Sequence, residues 1–244
     1  EQLFDHVWRV PVEIEGRLVE LEGYPNRDSM PYRSWYEIDP RDVMFRGTLR
    51  YPGWCATMKQ VAKLGMLRTE EIEGLEGKTF ADLTARLIGA DDAAGLDAKV
   101  ASHLDIDPTG FEIAHMRWLG LFSSMPLPGP KAPVDILTAH MLEKMSYAPD
   151  ERDMLVLQHT FIAEYAGRKE RITSTMIDFG IPGGDSSMNR TVGLPAAVGA
   201  RFILDGRFTT PGVIVPVMPE LYEPALEELQ RLGIQFTERV EEIG

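Results

Sequence analysis

The sequence predicts a mixed α and β fold, in which long β-hairpins and a mixed sheet are flanked by a cluster of helices. Residues 6–24 and 152–179 alternate apolar and polar side chains around turn-prone pairs, which is typical of hairpins. Residues 79–145 instead place apolar side chains at helical spacing. The last sixty residues alternate helix-like and strand-like segments, which is typical of an α/β edge rather than of further hairpins.

The first hairpin is predicted to turn at Glu15-Gly16. Residues 25–42 are rich in Pro, Arg and Tyr and are expected to be irregular, and they lead into a strand-like run at 44–51. Gly47 in that run would let the backbone bend or a ligand approach closely. A helix is predicted over 52–67, with Pro52 in its first turn.

The following elements are predicted in the same way. Thr79 is a candidate N-cap for a helix over 80–89, and further helices are expected over 111–122 and 134–145. The second hairpin is predicted to turn at Ala166-Gly167. A Gly/Ser turn at 180–189 then opens an apolar helix, and a strand at 213–217, an amphipathic helix at 219–233 and a final strand at 234–240 complete the chain.

Composition excludes several classes of protein. The 244 residues are 44% hydrophobic and 26% charged, which is typical of a globular protein, and no apolar run is long enough for a membrane span. A net charge of −13 excludes a broad basic surface, so nucleic acid is not an expected partner. Cys55 is the only cysteine, which excludes an internal disulfide and favours a cytoplasmic location. Because the chain begins without Met or a signal peptide, we expect a piece of a longer protein.

One segment departs from the acidic bias. Residues 24–55 carry a net charge of +1, whereas the remainder of the chain carries −14. The five arginines of this segment are Arg27, Arg33, Arg41, Arg46 and Arg50. Because arginine suits bidentate recognition of carboxylates, this pattern indicates a small ligand with several carboxylates. The alternative, that these arginines only neutralise the acidic surface, is equally compatible with composition.

Other candidate sites are weaker. The five histidines lack the spacing of a zinc site, so no metal is expected. Cys55 at a helix start is interpreted as a buried structural residue, and the Gly/Ser turn at 180–189 as a helix cap. No Walker motif and no G-x-G-x-x-G occur in the sequence.

Several motifs together resemble, in order and spacing, the C-terminal part of the saccharopine dehydrogenase family. This resemblance includes the glutamate-forming enzymes and the dehydrogenase half of the bifunctional lysine-degrading enzyme, and it covers nearly the whole chain. The motifs are YPNRDSMPY (24–32), RGTLRYPGW (46–54), RWLGLF (117–122), EKMSYAPDERDMLVLQH (143–159), TSTMIDFG (173–180) and VGLPAAVGARFILDG (192–206). Residues 183–193 depart from the family pattern, since Asp185 stands where many relatives have an aromatic residue.

The resemblance implies a division of the chain into domains. Residues 1–184 would form a saccharopine-binding and dimerisation domain, incomplete at its N-terminus and with a helical subdomain over about 68–145. Residues 185–244 would return to pack on, or complete, a Rossmann domain whose N-terminal part lies outside the chain. NAD or NADP would be bound mainly by that absent part, and the catalytic groups are expected there too.

The resemblance also implies a site and a reaction. Arg27 and Arg46 would hold carboxylates of saccharopine, with Gly47 and Thr48 adding contacts and Arg50 and Tyr51 as weaker candidates. A homodimer would oxidatively cleave saccharopine with NAD(P)+ and water to glutamate and 2-aminoadipate 6-semialdehyde, or the reverse, in lysine metabolism. Two alternatives stay open: a dehydrogenase of another carboxylated secondary amine, such as carboxynorspermidine or an opine, and a non-catalytic ligand-binding or oligomerisation module.

Overall fold

Helices and two antiparallel sheets make up the part of the chain that the computed structural model describes, which is residues 2–26, 28–129 and 131–244. The strands are β1 (Trp8–Ile14), β2 (Arg17–Pro25), β3 (Gly47–Arg50), β4 (Met154–Tyr165), β5 (Arg168–Phe179) and β6 (Phe236–Glu242). The helices are α1 (Met30–Trp35), α2 (Trp54–Lys63), α3 (Phe80–Leu87), α4 (Leu96–Leu104), α5 (Phe111–Leu119), α6 (Pro133–Lys144), α7 (Ser187–Leu204) and α8 (Pro219–Arg231). The mixed α and β fold class is therefore confirmed.

The chain divides into two compact units. The first consists of Glu1–Asp28 and Phe45–Ser146, and the second of Ser29–Met44 and Tyr147–Gly244. Each unit contains one three-stranded sheet, in the order β1-β2-β3 in the first and β4-β5-β6 in the second.

The sheet of the first unit begins with the predicted hairpin. β1 and β2 pair from Ile14–Arg17 to Trp8–Gly23, and the turn between them has positive φ at both Glu15 (50°) and Gly16 (76°). Two successive left-handed residues are the requirement of a type I′ turn, which matches the twist of the flanking strands. The prediction of a turn at this pair is confirmed.

The helices of the first unit share one hydrophobic core. α3 begins at a capping box, in which the Thr79 hydroxyl accepts from the Asp82 N–H while the Asp82 carboxylate accepts from the Thr79 N–H. The predicted cap at Thr79 is thus confirmed. The fully buried side chains of this core include Val61, Leu64, Met66, Phe80, Leu83, Val100, Ile113, Met116, Leu121 and Ile136.

The second unit packs helices on one end of its sheet. β4 and β5 pair over their whole length around the predicted turn, from Tyr165–Arg168 to Met154–Phe179. Met176 on β5 is buried against Val198 and Phe202 of α7, together with Leu229 of α8 and Ile234. Among the described helices, none has the length and apolar composition needed to cross a membrane.

Four local predictions differ from the structure. Residues 30–35 form α1, with Pro31 in its first turn, although the segment was expected to be irregular. Pro52 precedes α2 rather than lying in its first turn, because Gly53, with φ of 91°, is the N-cap. Residues 213–217 form no strand, and Val213 is fully exposed.

The fourth difference concerns the C-terminal strand. β6 pairs antiparallel with β5, from Met176–Phe236 to Glu170–Glu242, so it continues the second hairpin instead of forming an α/β edge. All strand pairs among the described residues are antiparallel, and the expected mixed sheet does not occur there.

Candidate functional site

The edge strand β3 and the residue just before it place three of the predicted site residues on one face. Arg50 lies opposite Glu22 in the antiparallel pair of β3 with β2, and the Asn26 N–H, 3.5 Å from the Arg46 carbonyl oxygen, continues this register beyond the strand. Because side chains along a strand alternate between faces, Arg46, Thr48 and Arg50 lie on the same face. The local sequence therefore places two guanidinium groups and a hydroxyl in one row.

The C-terminal end of this row is open to solvent. The Arg50 guanidinium lies over the Trp54 indole at 5.7 Å and donates to the Leu49 carbonyl oxygen at 2.7 Å, and Tyr51, just beyond the strand, is 63% exposed. These side chains are accessible to a small anionic molecule. Arg27, the remaining predicted arginine of the site, lies outside the described residues.

Gly47 has a packing partner that the sequence did not indicate. A Cβ added to Gly47 would lie 2.6 Å from the Trp8 indole and 2.6 Å from the Tyr24 carbonyl oxygen. Trp8 also covers Gly23, where a Cβ would lie 2.5 Å from the indole, and its ring contacts the Phe45 ring edge-on at 4.7 Å. Trp8 thus packs against both residues that flank Arg46, so close packing requires glycine at position 47 whether or not a ligand approaches there.

Glu22, on β2, places its carboxylate at the N-terminus of α2. Its carboxylate accepts hydrogen bonds from the Gly53 N–H at 3.1 Å and from the Cys55 N–H. Burial of the Cys55 thiol, which is 1% exposed, together with its hydrogen bond to Glu22, raises the pKa of Cys55 to about 12. Since a thiol of this pKa stays protonated at neutral pH, the structure supports the interpretation of Cys55 as a structural residue.

A histidine from the helical part of the first unit reaches the same loop. Thr57 on α2 donates its hydroxyl hydrogen to the Gly53 carbonyl oxygen at 2.7 Å, and its oxygen lies 2.8 Å from Nδ1 of His115 on α5. The His115 ring also packs against Phe111, at 5.5 Å between ring centroids. Sequence reasoning missed this residue, because Thr57 and His115 lie 58 positions apart and no local pattern connects them.

In the second unit, backbone N–H groups at the Gly/Ser turn donate hydrogen bonds to side chains of the protein itself. Asp153 accepts hydrogen bonds from the Ser187 and Met188 N–H groups at the start of α7, at 2.7 and 2.9 Å, and the Ser186 hydroxyl accepts from the Asn189 N–H. A Cβ at Gly180 would lie 2.1 Å from the Asp153 carboxylate, so a residue with a side chain would clash at this position. The structure therefore agrees with a capping role for this turn.

A buried ion pair lies beside that turn. Arg190 donates to the Asp178 carboxylate at 2.8 Å and to the Leu232 carbonyl oxygen at 3.2 Å. The Asp178 side chain is 7% exposed. These bonds tie α7 to β5 and to the segment that precedes β6, which is a structural role. Within the described ranges, no group of three histidine, cysteine or acidic residues is arranged to hold a metal ion.

Comparison with known proteins decides the family. The chain matches the saccharopine dehydrogenase C-terminal domain family over residues 1–234. It is 38% identical over 226 residues to the saccharopine dehydrogenase [NADP(+), L-glutamate-forming] of Saccharomyces cerevisiae, covering 88% of this chain and 50% of that protein. The chain belongs to the saccharopine dehydrogenase family.

Two further relatives show the same similarity. The Schizosaccharomyces pombe enzyme of the same name is 36% identical over 255 residues, covering 92% of this chain and 57% of its own length. The mitochondrial alpha-aminoadipic semialdehyde synthase of Rattus norvegicus is 36% identical over 226 residues, covering 89% of this chain and 24% of that protein.

A solved structure shares the fold. The apo histidine-tagged saccharopine dehydrogenase (L-Glu forming) from Saccharomyces cerevisiae aligns with a TM-score of 0.84 and 33% identity, covering 98% of this chain and 55% of that one. The chain thus spans about half the length of its fungal relatives.

Proposed function

We propose that this chain is the substrate-binding and dimerisation part of a saccharopine dehydrogenase. The whole enzyme would cleave saccharopine with NAD(P)+ and water to glutamate and 2-aminoadipate 6-semialdehyde, or form it in reverse, in lysine metabolism. The observation that carries the proposal is the row Arg46, Thr48 and Arg50 on an open strand edge, in a chain whose fungal relatives are named for saccharopine.

The chemistry of the substrate fits this row. Saccharopine is a secondary amine with three carboxylates, and a guanidinium group binds a carboxylate through two parallel hydrogen bonds. We assign one carboxylate to Arg46 and another to Arg27, with Thr48 donating its hydroxyl and Gly47 a backbone N–H. Arg50 and Tyr51 would contact the part of the substrate that extends past the end of β3.

The cofactor is assigned to the part of the enzyme beyond this chain. When bound, NAD(P)+ supplies the hydride acceptor, and the fungal relatives carry NADP(+) in their names. The described residues do not fit a dinucleotide, because their strands pair only antiparallel and the sequence has no G-x-G-x-x-G. We propose that residues 1–184 hold the substrate and that residues 185–244 pack on the nucleotide-binding domain.

Calorimetric titration of saccharopine into this chain tests the proposal. The Arg46→Ala variant should bind roughly 10- to 100-fold more weakly, since a charge-assisted hydrogen bond contributes about 1.5–3 kcal/mol. Arg86→Ala is the matched control, because Arg86 is an exposed arginine of the same unit that donates to the Glu73 carbonyl oxygen. Equal affinity of the wild type and Arg46→Ala would remove Arg46 from the site.

Comparison ligands distinguish the alternatives. A carboxynorspermidine- or opine-type amine that binds more tightly than saccharopine would indicate a related dehydrogenase with another substrate. Binding of NADPH by this chain alone at micromolar concentration would contradict the proposed division of labour between the domains.

We also propose that the enzyme is a homodimer and that the long strands of the second unit form its interface. Outer positions of β4 and β6 expose large apolar side chains, among them Phe161 (55%) and Val240 (58%), which supports this assignment.

We place the protein in the cytoplasm, on the sequence argument alone.

A further inference from the structure

His115 lies beside the loop that follows the proposed substrate strand. Its Cε1 would lie 3.3 Å from a Cβ placed on Gly53, two residues after Tyr51. Phe111, one turn before it on α5, would lie 3.4 Å from the same added Cβ and is 48% exposed. His115 is itself exposed, so its ring and that of Phe111 lie at the solvent-accessible surface beside Gly53, three residues after the end of β3.

The donors and acceptors around Thr57 determine which nitrogen of the neutral His115 ring carries its hydrogen. The Gly53 carbonyl oxygen can only accept, so the single hydroxyl hydrogen of Thr57 points to it. The Thr57 oxygen must then accept from His115, which places the hydrogen of the neutral ring on Nδ1. Nε2 therefore carries a lone pair, and among the described residues it has no hydrogen-bond partner.

We propose that Nε2 of His115 accepts the proton of the substrate's secondary ammonium group. This inference rests on the proposed function, because it takes the substrate to lie along β3. An amine loses a hydride from its carbon only after its nitrogen lone pair is free, so the ammonium must first be deprotonated. The step is balanced: the ammonium N–H bond breaks, an N–H bond forms on Nε2, and the positive charge moves to the imidazole.

The surroundings of His115 favour an amine nitrogen over a carboxylate at this end. A neutral imidazole with a bare nitrogen is an acceptor, and the face of the neighbouring, partly exposed Phe111 ring attracts cations. The Glu22 carboxylate accepts a hydrogen bond from the Gly53 N–H and so adds negative charge at this loop, while Arg50 on the strand remains a candidate for a carboxylate. Thr57 acts as a positioning residue, because it holds the ring through Nδ1.

The test is a nitrogen-15 spectrum of the histidine side chains of this chain during two titrations. Saccharopine carries the ammonium group, and glutarate carries two carboxylates with no nitrogen. We expect saccharopine to shift the Nε2 signal of His115 towards the protonated form, and glutarate to leave it unchanged. Saccharopine should bind His115→Asn several-fold more weakly, and Thr57→Val should show a mixture of both His115 tautomers.

The control is His103→Asn, since His103 is an exposed histidine on α4 of the same unit. It should bind saccharopine as the wild type does. If saccharopine binds in an Arg46-dependent manner while the His115 signals stay fixed, the role of His115 is overturned and the proposed function stands. If neither saccharopine nor glutarate binds, both proposals fail together.

Discussion

At the scale of a residue, Glu22 connects the sheet that contains β3 to the helical part of the first unit. Glu22 lies opposite Arg50 in the β2–β3 pair, and its carboxylate accepts hydrogen bonds from two backbone N–H groups at the start of α2. A negative charge at a helix N-terminus is stabilised by the backbone dipoles. The same carboxylate disfavours a second negative charge on the adjacent Cys55 thiol, which is one cause of its raised pKa.

The pKa of Cys55 predicts how stability depends on pH. The folded chain keeps the thiol protonated up to a pKa of about 12, whereas in the unfolded chain it ionises near the ordinary value of 9.0. The unfolded state therefore loses the proton first, and the free energy of unfolding falls as pH rises above about 9, by up to about 1.4 kcal/mol per pH unit. Urea unfolding at several pH values between about 7 and 10.5 measures this slope.

Cys55→Ser is the control for that measurement, because a serine hydroxyl keeps a donor towards Glu22 and does not titrate in this range. The difference in unfolding free energy between wild type and variant should be constant below about pH 8 and shrink above it. A difference that stays constant to pH 10.5 would show that the thiol is not held protonated by the fold.

The candidate site divides into residues that sequence could and could not predict. Arg46, Thr48 and Arg50 follow from local alternation, because residues two apart on a strand share a face. Glu22 and His115 come to the same region through contacts that span tens of positions, and no period or motif encodes such contacts. The packing reason for Gly47 was missed likewise, since Trp8 lies two strands away.

At the scale of an element, the Trp8 indole lies across β2 and β3 at two glycines. All three atoms nearest to a Cβ at Gly23 belong to Trp8, whereas a Cβ at Gly47 would also meet the Tyr24 carbonyl oxygen. The two glycines therefore differ in whether removal of the indole would make room for a methyl group.

This difference predicts the outcome of a double-mutant cycle. Gly23→Ala should destabilise the chain by roughly 1–3 kcal/mol, because the indole must move. In the Trp8→Ala background the same substitution should cost less, with a coupling energy of roughly 0.5–3 kcal/mol. Gly47→Ala is the matched control, and it should stay destabilising in both backgrounds. Additive effects of Trp8→Ala and Gly23→Ala in urea unfolding would contradict the contact.

The ion pair between β5 and α7 gives a second prediction at this scale. Arg190→Leu leaves the Asp178 carboxylate buried without its cation, so we expect a loss of roughly 3–5 kcal/mol in unfolding free energy. Arg201→Leu removes an arginine that is 48% exposed from its pair with Glu228 on α8 and should cost less than about 1 kcal/mol. The double variant Arg190→Leu/Asp178→Leu should recover part of the loss, and no recovery would assign another role to Arg190.

Elements were predicted well where local signals suffice. Both hairpin turns follow from residue pairs that end in a glycine of positive φ, Gly16 and Gly167, and the cap of α3 follows from Thr79 and Asp82. The segment 213–217 has an apolar, β-branched sequence and still forms no strand, because a strand needs a partner and none of the described strands pairs with it. For β6 the strand was predicted but its neighbour β5 was not, since strand pairing depends on tertiary contacts.

At the scale of the whole molecule, the two faces of the second sheet differ in polarity. Phe161, Ile172 and Val240 are aligned across β4, β5 and β6. They lie on the same face of the sheet as Met176, which packs against α7. On the opposite face, Ile162 lies beside Arg171, and Arg171 lies beside Glu241. Arg171 and Glu241 form an ion pair. An apolar row whose outer members Phe161 and Val240 are exposed, on a chain with a net charge of −13, is suited to burial against another surface.

The proposed homodimer should therefore use the face of Phe161 rather than that of Ile162. Phe161→Asp places a charge in the interface, and an unpaired buried charge costs several kcal/mol, so we expect a monomer by size-exclusion chromatography with light scattering at micromolar concentration. Ile162→Asp, a neighbouring residue of similar exposure on the opposite face, should keep the dimer mass. A wild-type chain that is monomeric at about 100 µM would remove this surface from the proposed interface. Dissociation by Ile162→Asp alone would move the interface to the other face of the sheet.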